Sequence, residues 1–354
     1  MNYALIGCGR IAPNHIRAAR DNNLNIVALC DIDESKMLEF KENVGLDNAL
    51  CYTDYKKLID ENVLDLLSIA TDSGSHGEIA IYAIQKGVNV IIEKPMAMSI
   101  EEAEKIVELS EKTGVKVCAC HQNRFNIAVL QTKKALDEGR FGKISHGAVC
   151  VRWFRDKAYY EQDSWRGKWE TDGGTLMNQC IHGIDLLRWL MGDEVEVIFG
   201  GASNRLHSYI EAEDIGVAVL KFKNGALATV EGTANAFPGD LEESIHIFGE
   251  KGAVKLGGMA ANKIEMWEFS EVKEDDLKNK GLSEEALNVY GNGHTSLYRD
   301  VVEAINQNRA PYVDARAGLS ALETVLSIYK SQKTGEAVKL PLKNFGTKDM
   351  INEL

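Results

Sequence analysis

Over the first 120 residues, short apolar runs alternate with longer stretches of helical spacing. Residues 3–6, 25–30, 64–69, 88–92 and 115–119 are rich in Val, Ile, Leu, Ala and Cys and read as buried β-strands. Between them apolar positions recur every three or four residues. The stretch 99–113 is the clearest helix: Ser99 stands as N-cap, and Glu102 three residues on completes a capping box. Strands alternating with helices predict a parallel, doubly wound sheet.

Beyond residue 122 the pattern changes. A helical stretch at 128–138 leads into a strand-like run at 144–153. Residues 155–171 are dense in charges and aromatic rings, and the pair Gly173-Gly174 then opens a helical stretch at 175–191. From 195 to 268 strand signals succeed one another, among them 217–222, 226–232, 243–248 and 253–256. Phe222-Lys223-Asn224-Gly225 reads as a tight hairpin turn between the first two. Helical stretches at 294–306 and 317–330 close the chain. The expected fold class is α/β, with a Rossmann-type parallel sheet over residues 1–121 and an α+β domain with a mostly antiparallel sheet over residues 122–354.

Composition narrows the partners. A chain of 354 residues holds about two domains, and 45% hydrophobic with 26% charged residues is ordinary for a globular protein. The net charge of −13 argues against nucleic-acid and anionic-membrane partners, so an anionic substrate needs a local basic cluster. The first residues enter a strand at once, without a basic leader, and no apolar run approaches the roughly 18 residues of a membrane span. A cytoplasmic location is therefore expected. Seven cysteines lie scattered in apolar stretches without paired spacing, which predicts reduced core thiols and no metal site.

Gly7-Cys8-Gly9-Arg10-Ile11-Ala12 joins the first strand to the first helix. Gly7 permits the tight turn, Gly9 lets backbone approach a pyrophosphate, and Ala12 allows helix to pack closely on sheet. The helix N-terminus adds unpaired N–H groups. The second strand ends in Asp31, placed for an adenine-ribose diol, and Ile32-Asp33-Glu34 beyond it would repel a 2′-phosphate. NAD is the expected cofactor, held by Gly7, Gly9, Arg10, Ile11, Asp31 and Ile32; the alternative makes Asp31 a helix N-cap. Thr71, Ser73 and His76 follow the 64–69 strand and are expected along the cofactor, His76 as a loop or capping residue rather than a catalyst.

Glu93-Lys94-Pro95 follows the apolar run 88–92. Strand ends of open α/β sheets are where ligands bind, and an ammonium held there by a proline is a candidate proton acceptor. The alternative is a strand-terminal lysine that reaches water. The helical stretch 175–191 carries His182, with Asn178 four residues before and Asp185 three after, so all three are expected on one face. Taken singly, His182 could be a satisfied core histidine. Removing hydride from a secondary alcohol leaves a proton, and Lys94 and His182 are the groups able to take it.

The order GxGxxA, Asp31, Glu93-Lys94-Pro95, then Gly173-Gly174-x-Leu176 followed by His182-x-x-Asp185, resembles the Gfo/Idh/MocA oxidoreductases. The resemblance runs nearly the length of the chain, through Val313-Asp314-Ala315-Arg316-Ala317-Gly318. It implies a Rossmann domain, an α/β domain whose open sheet supports a dimer or tetramer, and oxidation or reduction of a sugar or cyclitol carbon with NAD(P). Many members carry aspartate where this chain has Asn178. An amide cannot relay a proton, though it can hydrogen-bond a hydroxyl, which weakens an inositol-dehydrogenase reading.

The segments 152–160, 165–169, Gln122-Asn123-Arg124-Phe125-Asn126 and Gly249-Glu250-Lys251-Gly252 further resemble UDP-N-acetylglucosaminuronate 3-dehydrogenases of the WlbA type. Those enzymes oxidise C3 of a UDP-linked 2-acetamido-sugar ahead of amination, in amino-sugar biosynthesis for surface polysaccharide. A nucleotide-sugar substrate is then expected to meet Arg124, Arg155, Tyr160, Arg166, Asn178, Asp185 and His294. Glu93, Lys94, Asn123, Trp165 and Arg166 are expected at the cofactor. Arg152, Lys157 and Lys168 add cations suited to a diphosphate. The bland alternative is a solvated, charge-balanced loop, since Asp156, Glu161, Asp163 and Glu170 lie among them. Other readings are a dehydrogenase of a free sugar or inositol, and a non-catalytic NAD-binding regulator.

Overall fold

The computed structural model describes residues 1–192, 194–284 and 293–354. They form two compact units, Met1–His121 with His294–Leu319, and Gln122–Gly293 with Ser320–Leu354. In the first, strands β1 (Asn2–Ile6), β2 (Asn25–Cys30), β3 (Leu50–Tyr52), β4 (Leu66–Ile69), β5 (Asn89–Ile92) and β6 (Val117–Ala119) pair in the order β3-β2-β1-β4-β5-β6. Every pairing is parallel. Helices α1 (Ala12–Asp21), α2 (Glu34–Asn43), α3 (Tyr55–Glu61), α4 (His76–Gln85) and α5 (Ile100–Thr113) connect the strands. The central strands are buried and read as unbroken apolar runs for that reason. The chain reverses its direction of winding between β1 and β4, so the loops leaving those strands flank the crevice where such sheets take ligands. Ser99 caps α5 as expected, accepting the Glu102 N–H at 3.2 Å, while the Glu102 carboxylate reaches back to Met98 N–H at 3.4 Å.

Residues 294–319, expected with the second domain, belong to the first unit. The helix Gly293–Gln307 sets Tyr298 edge-on to Tyr3 with ring centres 5.9 Å apart, and Ala119 N–H donates to Val313 O at 3.1 Å. The apolar stripe of that helix marks which face is buried but not which sheet receives it.

The second unit holds an eight-stranded sheet. Its strands are β7 (Ile144–Arg152), β8 (Val195–Ser203), β9 (Ile215–Phe222), β10 (Leu227–Thr233), β11 (Glu242–Gly249), β12 (Gly252–Gly257), β13 (Lys263–Phe269) and β14 (Val338–Lys339), ordered β13-β12-β11-β7-β10-β9-β8-β14. All neighbours are antiparallel except β7 and β10. The expected hairpin joins β9 to β10, with Gly225 at φ +88° and its N–H donating to Phe222 O at 2.9 Å. Helices α6 (Ile127–Asp137), α7 (Lys157–Glu161), α8 (Thr175–Asn178) and α9 (Ile181–Leu190) belong to this unit.

The helix expected at 175–191 is two helices. Cys180 N–H bonds Thr175 O at 3.0 Å, a five-residue step, so one extra residue enters the turn. The helical ladder is interrupted there, and α9 starts afresh at Ile181. His182 and Asp185 stay three apart on α9. A glycine, Gly183, follows His182 because a Cβ there would stand 2.9 Å from Val149 Cγ2 of β7.

Candidate active site

In the first unit the turn after β1 is built for close approach. Gly7 has φ +96°, and a Cβ on it would lie 2.3 Å from Ala70 O, whereas a Cβ on Gly9 would meet nothing within 4 Å. That open side of Gly9 is the space a pyrophosphate requires. Helix α1 begins with no side-chain cap; Ala12 and Asn14 N–H close on Gly9 O and Ile11 O at 3.1 and 3.0 Å, and Pro13 carries no N–H. Asp31 is fixed at the end of β2 by Cys8 N–H at 2.8 Å and Asp33 N–H at 3.0 Å. Each carboxylate oxygen keeps a further lone pair for a ribose hydroxyl. Beside it Ile32 is 93% exposed, an apolar face suited to a base. Arg10 is exposed and Ile11 half-buried on the same turn. Asp33 does serve as the N-cap of α2, accepting Lys36 N–H at 3.1 Å, which leaves Asp31 to its own role. These residues fit NAD, with the acidic run set against a 2′-phosphate.

The loop after β4 carries Thr71, Ser73 and His76. Ser75 Oγ donates to Thr71 Oγ1 at 2.7 Å, and His76 lies 2.8 Å by Nδ1 from Pro95 O and 3.3 Å by Nε2 from Thr71 O. His76 therefore braces the β4 loop against the turn after β5. Burial lowers its proton affinity, more than those carbonyls and the Glu93 charge raise it. Lys94, partly buried, follows Glu93 and precedes a cis bond to Pro95. Its backbone N–H donates to Glu93 Oε2 at 3.2 Å. Glu93 is buried with His15 Nε2 at 3.1 Å and His294 Nε2 at 3.6 Å from Oε1. His294, expected at a substrate, is thus fully buried within this cluster. Gly291 and Asn292, just before it, lie outside the described residues.

In the second unit many of the expected substrate residues hold one another. Arg124 donates bidentately to Asp185, from Nε at 2.7 Å and Nη2 at 2.6 Å, and lies 4.7 Å above the Trp189 ring. Both charges are buried, with Arg188 3.6 Å from the same carboxylate and pushed down to about 10 by burial. Asn178 donates its amide to Asp172, which also accepts Gly167 N–H at 2.7 Å. Arg166 reaches Tyr159 Oη at 2.7 Å and Asp163 at 3.3 Å and lies 4.5 Å from the Trp165 ring centre. Tyr159 Oη also accepts the Gln179 amide at 3.0 Å, tying the loop to the break between α8 and α9. Arg155 bonds Asp240 at 2.8 Å, and Arg152 forks onto Glu231 and reaches Glu242 at 2.5 Å. Lys157 pairs with Glu161 at 3.3 Å. The expected basic cluster is therefore largely neutralised, as in a charge-balanced loop. Tyr160 is buried edge-on to Tyr159, and His182 is buried on α9. Asn123 is buried, and neither amide atom has a hydrogen-bond partner among the described residues.

Sequence reasoning missed two buried acids. Glu213 accepts Leu176 N–H at 2.7 Å and Tyr329 Oη–H at 3.0 Å, and burial pushes it up to about 8. Glu243 sits on β11, on the buried side with Ile245 and Ile247; its Oε2 has no hydrogen-bond partner among the described residues, and burial alone pushes it up to about 8. An acid at a core position of an alternating strand was a signal available in the sequence. Glu243 also lines a cavity of about 270 Å³ with Trp153, Met259 and Glu265.

Comparison with known proteins agrees with this layout. The sequence matches the family models described as oxidoreductase family, NAD-binding Rossmann fold, over residues 1–121, and oxidoreductase family, C-terminal alpha/beta domain, over residues 133–340. The WlbA dehydrogenase of Bordetella pertussis, solved with NADH and UDP-GlcNAcA, is 37% identical with a TM-score of 0.87, over 96% of this chain and 98% of that one. The Chromobacterium violaceum WlbA dehydrogenase, in complex with the same two ligands, is 36% identical with a TM-score of 0.88, over 97% of each chain. Myo-inositol 2-dehydrogenase of Thermotoga maritima is 27% identical over 96% of this chain and 98% of its own length. The cofactor is NAD. Among the described residues no helix is long and apolar enough to cross a membrane.

Proposed function

This chain belongs to the Gfo/Idh/MocA family of oxidoreductases, and we propose that it oxidises the C3 hydroxyl of a UDP-linked 2-acetamido-sugar, UDP-GlcNAcA or UDP-GlcNAc, to the 3-keto sugar. The observation that carries the reading is the 36–37% identity to two WlbA dehydrogenases across essentially the whole chain, against 27% to the myo-inositol enzyme. The ketone would feed amination in amino-sugar biosynthesis, in the cytoplasm, by a homo-oligomer.

Bound NAD supplies the hydride acceptor. Gly7 and Gly9 admit the pyrophosphate, Asp31 takes the adenine ribose, and Thr71 and Ser73 line the strand ends. Loss of hydride from the carbinol carbon turns its C–O bond into a carbonyl, and the hydroxyl proton passes to Lys94 Nζ. His182 is the second group proposed to be able to hold that proton. Asn178, engaged by Asp172, is a hydroxyl ligand rather than a proton carrier.

One observation favours a second reading. Arg124, Arg152, Arg155 and Arg166 are already paired with carboxylates, which suits an uncharged free sugar or cyclitol better than a diphosphate. A panel of UDP-sugars, inositols and free hexoses, followed by NADH absorbance at 340 nm, separates the two. Turnover with a UDP-acetamido-sugar is expected, and its absence alongside turnover of a cyclitol would sink the proposal. Lys94→Met is expected to abolish turnover while NAD still binds. A variant with unchanged rate removes Lys94 as the base, and no turnover with any substrate leaves a non-catalytic NAD-binding regulator.

A further inference from the structure

The loop that joins β8 to β9, residues 204–214, holds two segments expected at the substrate. Glu211 and Ala212 N–H donate to Gly167 O at 2.9 and 3.0 Å, which ties the loop to the segment of Trp165 and Arg166. The segment 153–160 is held through a side chain instead. His207 Nε2 lies 2.7 Å from Arg155 O, immediately before Asp156 caps α7, and His207 Nδ1 lies 3.0 Å from Asp214 Oδ2. The loop is a firm base for this contact, because the Asn204 side-chain amide reaches His207 O, Ile210 O and Ala212 O at 3.0 to 3.2 Å.

The bonds fix the charge of the ring. Asp214 accepts backbone N–H from Arg205, Leu206 and His207 at 2.7 to 3.1 Å, so it is an ionised carboxylate with nothing to donate. A peptide carbonyl can only accept. Each nitrogen of His207 therefore faces an acceptor, and both bonds form only when both nitrogens carry a proton. A neutral ring would set one nitrogen lone pair against an oxygen in a place where His207 is 5% exposed. The rings of Tyr160 and Tyr209, centred 5.4 and 5.5 Å away, favour a cation as well. We propose that His207 stands as an imidazolium and is a positioning residue for the substrate, fixing the segment that carries Arg155 and Tyr160 to the loop that also holds the segment of Arg166.

Asp214 faces the ring from the end of the loop, Tyr160 from α7 and Tyr209 from beside it. Burial holds both phenols above their usual range and so uncharged, and Asp156 and Glu161 act on Tyr209 in the same sense. Arg155 gives the ring its carbonyl and gives Asp240 its guanidinium at 2.8 Å. Burial opposes a charge on His207, but the Asp214 carboxylate and the Arg155 carbonyl outweigh it and raise its proton affinity above the usual 6.5. Burial likewise opposes the charge of Asp214, while His207 and the loop N–H groups hold that carboxyl well below its usual range. The clamp is therefore complete below pH 6.5 and is lost as pH rises through the higher value of the folded chain.

The inference rests on the proposed sugar-nucleotide chemistry for its kinetic readout alone. ¹⁵N-histidine NMR of the unaltered protein reads the charge directly, with His207 identified by its Overhauser contacts to the two tyrosine rings. A titration midpoint above 6.5 is expected, and one at or below 6.5 overturns the proposal. His207→Gln offers one nitrogen donor and no charge. It is expected to raise KM for a UDP-acetamido-sugar about tenfold at pH 6, with kcat changed by less than about twofold. The unaltered protein should approach the same KM as pH passes the His207 midpoint, and parallel KM–pH curves in the two proteins overturn the positioning role. If no UDP-sugar turns over, amide hydrogen exchange of peptides over 153–161 decides. Faster exchange in His207→Gln at pH 6, with the difference gone at pH 9, supports the clamp, and equal exchange at pH 6 overturns it. Should that variant fail to fold, the NMR midpoint of the unaltered protein decides.

Discussion

Glu213 and Glu243 show how environment decides the chemistry of a residue. Both carboxyls are buried and pushed up to about 8; Glu213 accepts two hydrogen bonds at Oε1, and in each carboxyl Oε2 has no hydrogen-bond partner among the described residues. An acid whose folded pKa is raised from 4.5 to about 8 makes the folded chain bind more protons than the unfolded one across that interval. Stability is therefore lost as pH rises from 4.5 towards 8, and the cost is complete above it. Glu243→Gln carries no such charge and is expected to be more stable than the parent at pH 9, with the advantage fading at pH 5. At about 1.4 kcal/mol per pH unit the difference reaches a few kcal/mol at most. Urea unfolding at both pH values measures it, and parallel pH dependence in the two proteins would remove Glu243 as the titrating acid. The glycine loop and Asp31 were legible as a sequence because backbone constraints act locally. The pairing of Arg124 with Asp185 was not, since it joins residues 61 positions apart.

At the level of elements, the start of α8 depends on a missing side chain. A Cβ on Gly174 would fall 1.3 Å from Glu213 Oε2, and Gly173 has φ +72°. Gly174 thus makes room for a carboxyl that caps Leu176 N–H, while Gly173 supplies the left-handed turn against Met177. Gly174→Ala must displace that carboxyl from Leu176 and Tyr329, and a loss of about 2–4 kcal/mol is expected by chemical denaturation. In the double variant with Glu213→Ala the two losses are expected to add to less than their sum. Additive losses would show that the contact is not the cause. The break between α8 and α9 follows from the same region, and helical periodicity over 175–191 could not reveal it. A five-residue hydrogen bond interrupts the helical ladder while leaving the apolar pattern intact.

At the level of the molecule, the sheet of the second unit presents Phe199, Val217, Val219 and Leu227 to solvent, each about half exposed or more, on the neighbouring strands β8, β9 and β10. A homo-oligomer is expected to cover this face. Phe199→Glu should lower the mass measured by light scattering, and an unchanged mass would place the contact elsewhere. The sequence by itself determined the two sheet types, NAD as the cofactor and the position of the lysine after β5, because strand alternation, glycine turns and strand-terminal charges are properties of short segments. Tertiary structure alone decided that residues 294–319 return to the first unit, that the loop arginines spend their charge on carboxylates, and that Glu93 stands between two histidines. Those outcomes depend on which distant segments share one buried volume, where an unpaired charge is too costly to leave.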